Sequence, residues 1–195
     1  MILESIVTSL NNDGVVNVAP MGPTVDEAFT QITLRPFKSS RTYQNLIQQR
    51  KAVVHVTDNV MLFAKAAVDA LTVEEMQSLV QPLETTGLFR LRDCHRYFVV
   101  DIDTIAEDNL RATLKCRIVD SGVVRPFFGF NRAKHAVIEA AILATRTHLI
   151  AADELQDQLS RLRPLVDKTA GSDEHAAFEF LVQTINERLA ANHCN

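Results

Sequence analysis

The period of the hydrophobic pattern changes once along this 195-residue chain, and that change limits the fold more than any other feature. β-prone residues alternate loosely with polar ones through the earlier part, whereas from Asn131 onward apolar residues return at helical spacing. Val137, Ala140, Ala141 and Ala144 make one small-residue face, and Leu155, Leu159, Leu162 and Val166 a second. Phe178, Leu181, Val182, Ile185 and Leu189 make a third. Three helices are predicted, with Pro164 bending or shortening the middle one and Gly171-Ser172-Asp173 breaking the chain and capping the last. Stripes this apolar need partner surfaces, so the helices should pack on one another and on the strands before them. Strands first and helices last, with no repeat or low-complexity linker, describe an α+β chain. A strand domain is expected over residues 1–126 and a small helical bundle packed on it over 127–195.

Within the strand part, residues 5–10 and 15–22 read as a hairpin turned by Asn11-Asn12-Asp13-Gly14, whose residues tolerate left-handed backbone. A strand over 27–34 ends at Pro36, and a helix begins near Ser39 or Ser40. Residues 52–57 form a core strand, followed by a helix from Asp58 or Asn59 whose apolar body is 61–68. The connector 69–87 is ambiguous, although Thr72-Val73-Glu74-Glu75 resembles a capped helical turn. Two longer strands, about 95–106 and 110–124, are joined by the short polar Glu107-Asp108-Asn109 and are read as an antiparallel pair.

The chemistry concentrates in the bend Arg35-Pro36-Phe37-Lys38-Ser39-Ser40-Arg41-Thr42. The first turn of the predicted helix presents N–H groups and the positive end of the helix dipole, where an anion is stabilised. Lys38 and Arg41 add mobile and forked positive charge, and Ser39, Ser40 and Thr42 add short donors, which together suit a dianionic phosphate monoester. Upstream, the second hairpin strand ends in Asn17-Val18-Ala19-Pro20-Met21-Gly22, small enough for a flat ring to approach its backbone.

This order of a hairpin ending in Asn-Val-Ala-Pro-Met, a strand, a Ser/Arg/Thr bend opening a helix with Asn45-Leu46, and a core strand resembles the FMN-binding split β-barrel superfamily. With the later Phe130-Asn131-Arg132-Ala133 and its helix, the chain is similar to one branch, the domain of unknown function 447 family, over nearly its whole length. The resemblance implies a mostly antiparallel, Greek-key-like split barrel followed by the helical bundle. It implies FMN at the interface of a homodimer, its phosphate held by Lys38, Ser39, Ser40, Arg41 and Thr42, with Arg35 a further cofactor contact. Asn17, Ala19, Pro20, Met21 and Gly22 would face the isoalloxazine, and Asn131 and Arg132 would reach the flavin or substrate pocket. The bend and the strand end supply a phosphate grip and one ring face, so a second chain is the natural wall for the other face. The activity implied is that of an FMN-dependent oxidoreductase or flavin reductase acting on a small-molecule redox substrate. The alternative is a non-catalytic flavin carrier or sensor, or a barrel given over to a deazaflavin, pterin or haem.

Other classes find little support. A net charge of −4 argues against a general nucleic-acid binder, so any positive site is local. Cys94, Cys116 and Cys194 are odd in number and widely spaced, which suits a reducing, cytoplasmic setting rather than a disulfide framework or cysteine zinc site. No apolar run is long enough to span a bilayer. Ser5, Ser9 and Ser121 have no nucleophile-elbow context, and no Gly-x-Gly-x-x-Gly follows a strand. Arg132, His135, Glu139 and Arg146 share one helix side, read as a solvated stripe; His135 and Glu139 lack a third ligand nearby, so no metal site is assigned. His55, on a core strand, is read as a hydrogen-bonded interior residue, with a flavin-facing role as the alternative, and His95 with Arg96 as rim residues.

Overall fold

The N-terminal hairpin forms where its turn residues place it. In the computed structural model, which describes residues 1–193, β1 (Ser5–Leu10) and β2 (Val16–Met21) pair antiparallel from Leu10 opposite Val16 to Ser5 opposite Met21. The Asn11 carboxamide oxygen accepts the N–H groups of Asp13 at 2.9 Å and Val15 at 2.8 Å, and Gly14 takes the left-handed backbone the reversal needs (φ 77°).

The expected strand over 27–34 is only half a strand. β3 (Thr24–Val25) and β4 (Gln31–Leu34) pair with each other, and the residues between them reverse the chain. The Asp26 carboxylate accepts Thr30 N–H at 2.8 Å, Thr30 Oγ1–H at 2.6 Å and Gln31 N–H at 2.9 Å, and Phe29 lies at φ 52°. A carboxylate collecting three local donors outweighs the strand propensity of the segment. Next come α1 (Arg41–Gln49) and β5 (Lys51–Val56), joined through Arg50 in left-handed backbone, then α2 (Val60–Ala67) capped by Asn59. The ambiguous connector holds α3 (Val73–Leu79), whose capping box is Thr72 with Glu75, and an unforeseen hairpin of β6 (Val80–Leu83) and β7 (Leu88–Leu91). The long pair follows as β8 (Arg96–Glu107) and β9 (Ala112–Val123).

Seven strands form one sheet in the order β2-β1-β5-β8-β9-β4-β3, every neighbouring pair antiparallel. Register shifts at Val99/Val100 and Ile102/Thr104 bend the β8–β9 pair, which curls the sheet. The curl returns the far edge to the start: Leu3 N–H donates to Pro23 at 3.0 Å, and Val25 N–H to Met1 at 2.9 Å. Alternation then sorts side chains to two sides. Val7, Val54, Phe98, Val100, Leu114 and Leu34 fill the inside of the curl, while Val53 and Val99 pack with Leu88 under the β6–β7 hairpin. β5 is therefore buried on both faces, which explains its nearly unbroken apolar run Ala52-Val53-Val54-His55-Val56.

His55 belongs to the second of these faces. Its Nδ1 donates to the Ile6 carbonyl at 3.0 Å and its Nε2 accepts Leu91 N–H at 3.0 Å, so the ring is neutral and fully bonded between β1 and β7. Burial pushes its pKa down from 6.5 to about 4.

A second unit comprises residues 58–70 and the chain from Phe128 onward, the first being Met1–Thr57 with Leu71–Phe127. It holds α2 with α4 (Arg132–Ala144), α5 (Ala152–Thr169) and α6 (Ser172–His193). The three anticipated stripes meet in one core around Ala136, Ala140, Leu155, Leu159, Phe178, Leu181 and Ile185. α5 continues through Pro164 to Thr169. By sequence order α2 was expected with the strands, inside 1–126; instead its Val60 and Ala64 join this helical core. Lys134, between Asp58 (3.4 Å) and Glu174 (2.9 Å), ties the inserted segment to α4 and α6.

Two outcomes are expected. A fragment ending at Pro126 leaves α2 without its helical core and should aggregate or lose cooperative unfolding, checked by light scattering and thermal melting. His55 is neutral in the folded state and readily protonated in the unfolded one, so its contribution is complete above pH 6.5 and is lost as pH falls toward 4. The loss should reach about 1.4 kcal/mol per pH unit at its steepest, roughly 3 kcal/mol in all, and denaturant titrations of His55→Gln should show a flatter pH profile over that window.

Candidate functional site

The bend 35–40 is fastened to the start of β9 before any side-chain chemistry is considered. Lys38 N–H donates to the Leu110 carbonyl at 3.1 Å, and Ala112 N–H to the Pro36 carbonyl at 3.1 Å. The Arg111 guanidinium lies 3.7 Å from the Phe37 ring centroid and donates to the Arg35 carbonyl at 2.9 Å. Ser40 is the N-cap of α1: its Oγ accepts Tyr43 N–H at 3.1 Å and donates to the Phe37 carbonyl at 2.7 Å. The first turn of α1 contains no acidic residue, so no carboxylate of its own offsets the positive end of the helix.

Around this helix start the side chains of Arg35 and Arg41 are exposed, as is Ser39. Lys38 pairs with Glu107 at 2.9 Å, and Glu107 also accepts the Tyr43 hydroxyl at 2.6 Å. The Tyr43 hydrogen bond, then Lys38, hold the Glu107 carboxyl below its ordinary range; Glu107 in turn raises both Lys38 and Tyr43. Arg35, Lys38, Arg41 and Arg111 thus share this stretch of surface with Glu107 and Asp108. Glu107, Tyr43 and Arg111 did not stand out as site residues in the sequence. Arg111 lies 76 positions from Arg35, and only the pairing of the bend with β9 brings them together.

The hairpin strand and the bend do meet. Asn17 Nδ2 donates to Thr42 Oγ1 at 3.1 Å, and Asn45 Nδ2 to Ser9 Oγ at 3.0 Å, all four side chains nearly closed to solvent. These bonds pin α1 to β1 and β2, so Asn17 and Thr42 hold the first turn of the helix against the hairpin. Ala19, Pro20 and Met21 are half-buried on the edge strand β2, where a residue without an N–H is tolerated. At Gly22 a Cβ would come within 3.0 Å of Ile2 Cγ2, so the N-terminal segment crosses there.

Asn131 and Arg132 belong to the other unit. Asn131 caps α4, its Oδ1 accepting Lys134 N–H at 3.1 Å and its Nδ2 donating to the Thr169 carbonyl at 2.9 Å. Arg132, His135, Glu139 and Arg146 are all exposed on α4 or just past it, with His135 stacked on Phe130. Among the described residues no three His, Cys, Asp or Glu side chains gather as metal ligands. His95 is buried and its Nδ1 lies 2.9 Å from the Pro126 carbonyl, inside the unit rather than at its rim. Cys94 and Cys116 are free, buried thiols; Cys194 lies outside the described residues. No helix among the described residues is long and apolar enough to cross a membrane.

The curled antiparallel sheet with its helical unit is the split-barrel fold of known flavoproteins. An FMN-bound protein from Methanosarcina mazei is 20% identical and matches over 94% of each chain with a TM-score of 0.80. A putative flavin reductase from Haemophilus somnus, 23% identical, matches 62% of this chain and 80% of its own with a TM-score of 0.52. The styrene monooxygenase flavin reductase from Pseudomonas putida S12, 15% identical, matches 64% and 82% with a TM-score of 0.51. The N-terminal model of the family described as protein of unknown function DUF447 matches residues 3–125, and its C-terminal model residues 131–183. Both parts of the architecture are covered in order, and the chain belongs to the DUF447 family.

Proposed function

We propose that this chain binds FMN, with the phosphate at the bend 38–42, and works as a flavin-dependent oxidoreductase in a homodimer. The observation that carries the reading is the Ser40-capped start of α1, set among Arg35, Lys38, Arg41 and Arg111 without an acidic residue in its first turn. The FMN-bound relative and the flavin reductases of the same fold support it. The residues present suit the group: a dianion meets a helix N-terminus, two guanidinium groups on exposed side chains and the Ser39 hydroxyl. Bound FMN would supply the electron or hydride transfer. The chain's own part is to grip the phosphate, to present the half-buried edge at Ala19, Pro20 and Met21 as one wall for the ring, and to hold that edge in place through Asn17 and Thr42. A second chain would supply the other wall, twice by symmetry.

The protein should bind FMN much more tightly than riboflavin, and Arg41→Ala should weaken FMN by about 1.5–3 kcal/mol with little effect on riboflavin. Fluorescence titration measures both; equal affinities for the two flavins would remove the phosphate assignment. Anaerobic mixing with NADH or NADPH then separates turnover from carriage. Flavin content should approach one per chain, and light scattering should find a dimer that FMN stabilises. A monomer that keeps FMN tightly on dilution would exclude a shared site.

A further inference from the structure

The bend already holds an anion. Glu107, the last residue of β8, places Oε2 2.9 Å from Lys38 Nζ and accepts the Tyr43 hydroxyl on Oε1 at 2.6 Å. Lys38 stands two residues before the cap and Tyr43 lies in the first turn of α1. One carboxylate therefore occupies a cation and a hydroxyl donor on either side of the helix start.

A structural clamp between β8 and α1 is the simplest role for such a contact, and two observations argue against it. Backbone bonds at Lys38 and Ala112, with the stack of Arg111 on Phe37, already join the bend to the start of β9, where Ala112 pairs with Glu107 of β8. The Lys38 and Glu107 side chains are also 36% and 47% exposed, and an ion pair that open to water adds little to stability. Glu107 can release Lys38 without stranding a buried charge.

We propose that Glu107 is a built-in competitor for the phosphate, occupying Lys38 in the free protein so that a phosphate monoester has to take the lysine from it. The proposal rests on the flavin reading above and adds how that site sets its affinity. A dianion offers Lys38 more charge than one carboxylate and displaces it, whereas a neutral end group does not. When the phosphate leaves, Lys38 has a partner waiting, which favours release. Glu107 would thus keep FMN exchangeable and make the bend indifferent to flavins without a phosphate.

The test uses the full chain with FMN and riboflavin as probes, in the wild type, Glu107→Gln, Lys38→Met and the double variant. Glu107→Gln should tighten FMN by about three- to tenfold, mainly through slower dissociation, and leave riboflavin unchanged. On the Lys38→Met background that gain should largely vanish. If the Gln variant does not fold, Glu107→Asp, which keeps the charge on a shorter arm, should tighten FMN to a smaller degree. A wild type that prefers FMN, together with Glu107 variants that bind it equally or more weakly, would make Glu107 a clamp and overturn the proposal. A wild type with no preference for FMN would remove the phosphate reading itself, and this proposal with it.

Discussion

Two backbone hydrogen bonds, from Lys38 N–H to Leu110 and from Ala112 N–H to Pro36, hold the segment on which the candidate site is built. Pro36 cannot donate to a ladder, so the strand ending at Leu34 has to leave the sheet there. The bonds to residues 110 and 112 catch it immediately, and the helix begins five residues after the proline. Without them the bend between Pro36 and the helix cap would lose its backbone attachment to the start of β9. The buried Asn17–Thr42 and Asn45–Ser9 bonds fix the other side of α1, so the helix is held from the hairpin as well as from β9.

The electrostatics of this surface follow from that fastening. Arg111 is drawn over Phe37 and onto the Arg35 carbonyl, and its charge becomes a fixed part of the bend. Lys38 is instead drawn to Glu107. The cations thus differ in kind: Arg111 is committed by stacking and by a neutral acceptor, while Lys38 is paired with a carboxylate. A chain carrying −4 overall can still gather positive charge this densely because the sheet brings residues 35–41 beside residue 111.

The helical unit obeys a separate logic. Its α4 face is built from Ala133, Ala136, Ala140 and Ala144, all fully buried, which allows close approach by the large Phe178, Leu155 and Leu181. α2 completes that core although the chain places it between two parts of the first unit. Asn59 accepts Leu62 N–H at its start, so the helix between β5 and α3 carries its own cap while its apolar side is buried in the helical core.

Local chemistry alone made much of this legible. Turn residues located the first hairpin, Ser39 and Ser40 bracketed the helix start, Thr72 to Glu75 marked a capped turn inside an otherwise ambiguous connector, and period 3.6 located the last three helices. These signals act within one or two turns of chain, so the residues themselves determine them. The strand expected over 27–34 is confined to Gln31–Leu34 because the Asp26 side chain, outside the counted pattern, supplies the residues before it with a local alternative. What only the tertiary structure decided depended on distant partners. The bend's neighbours Glu107 and Arg111, the neutral His55 held between Ile6 and Leu91, and the membership of α2 in the helical core all join residues dozens of positions apart. No periodicity records such meetings: sheet order and strand register set the first two, fixed only when the sheet closes its core, and helix packing sets the third.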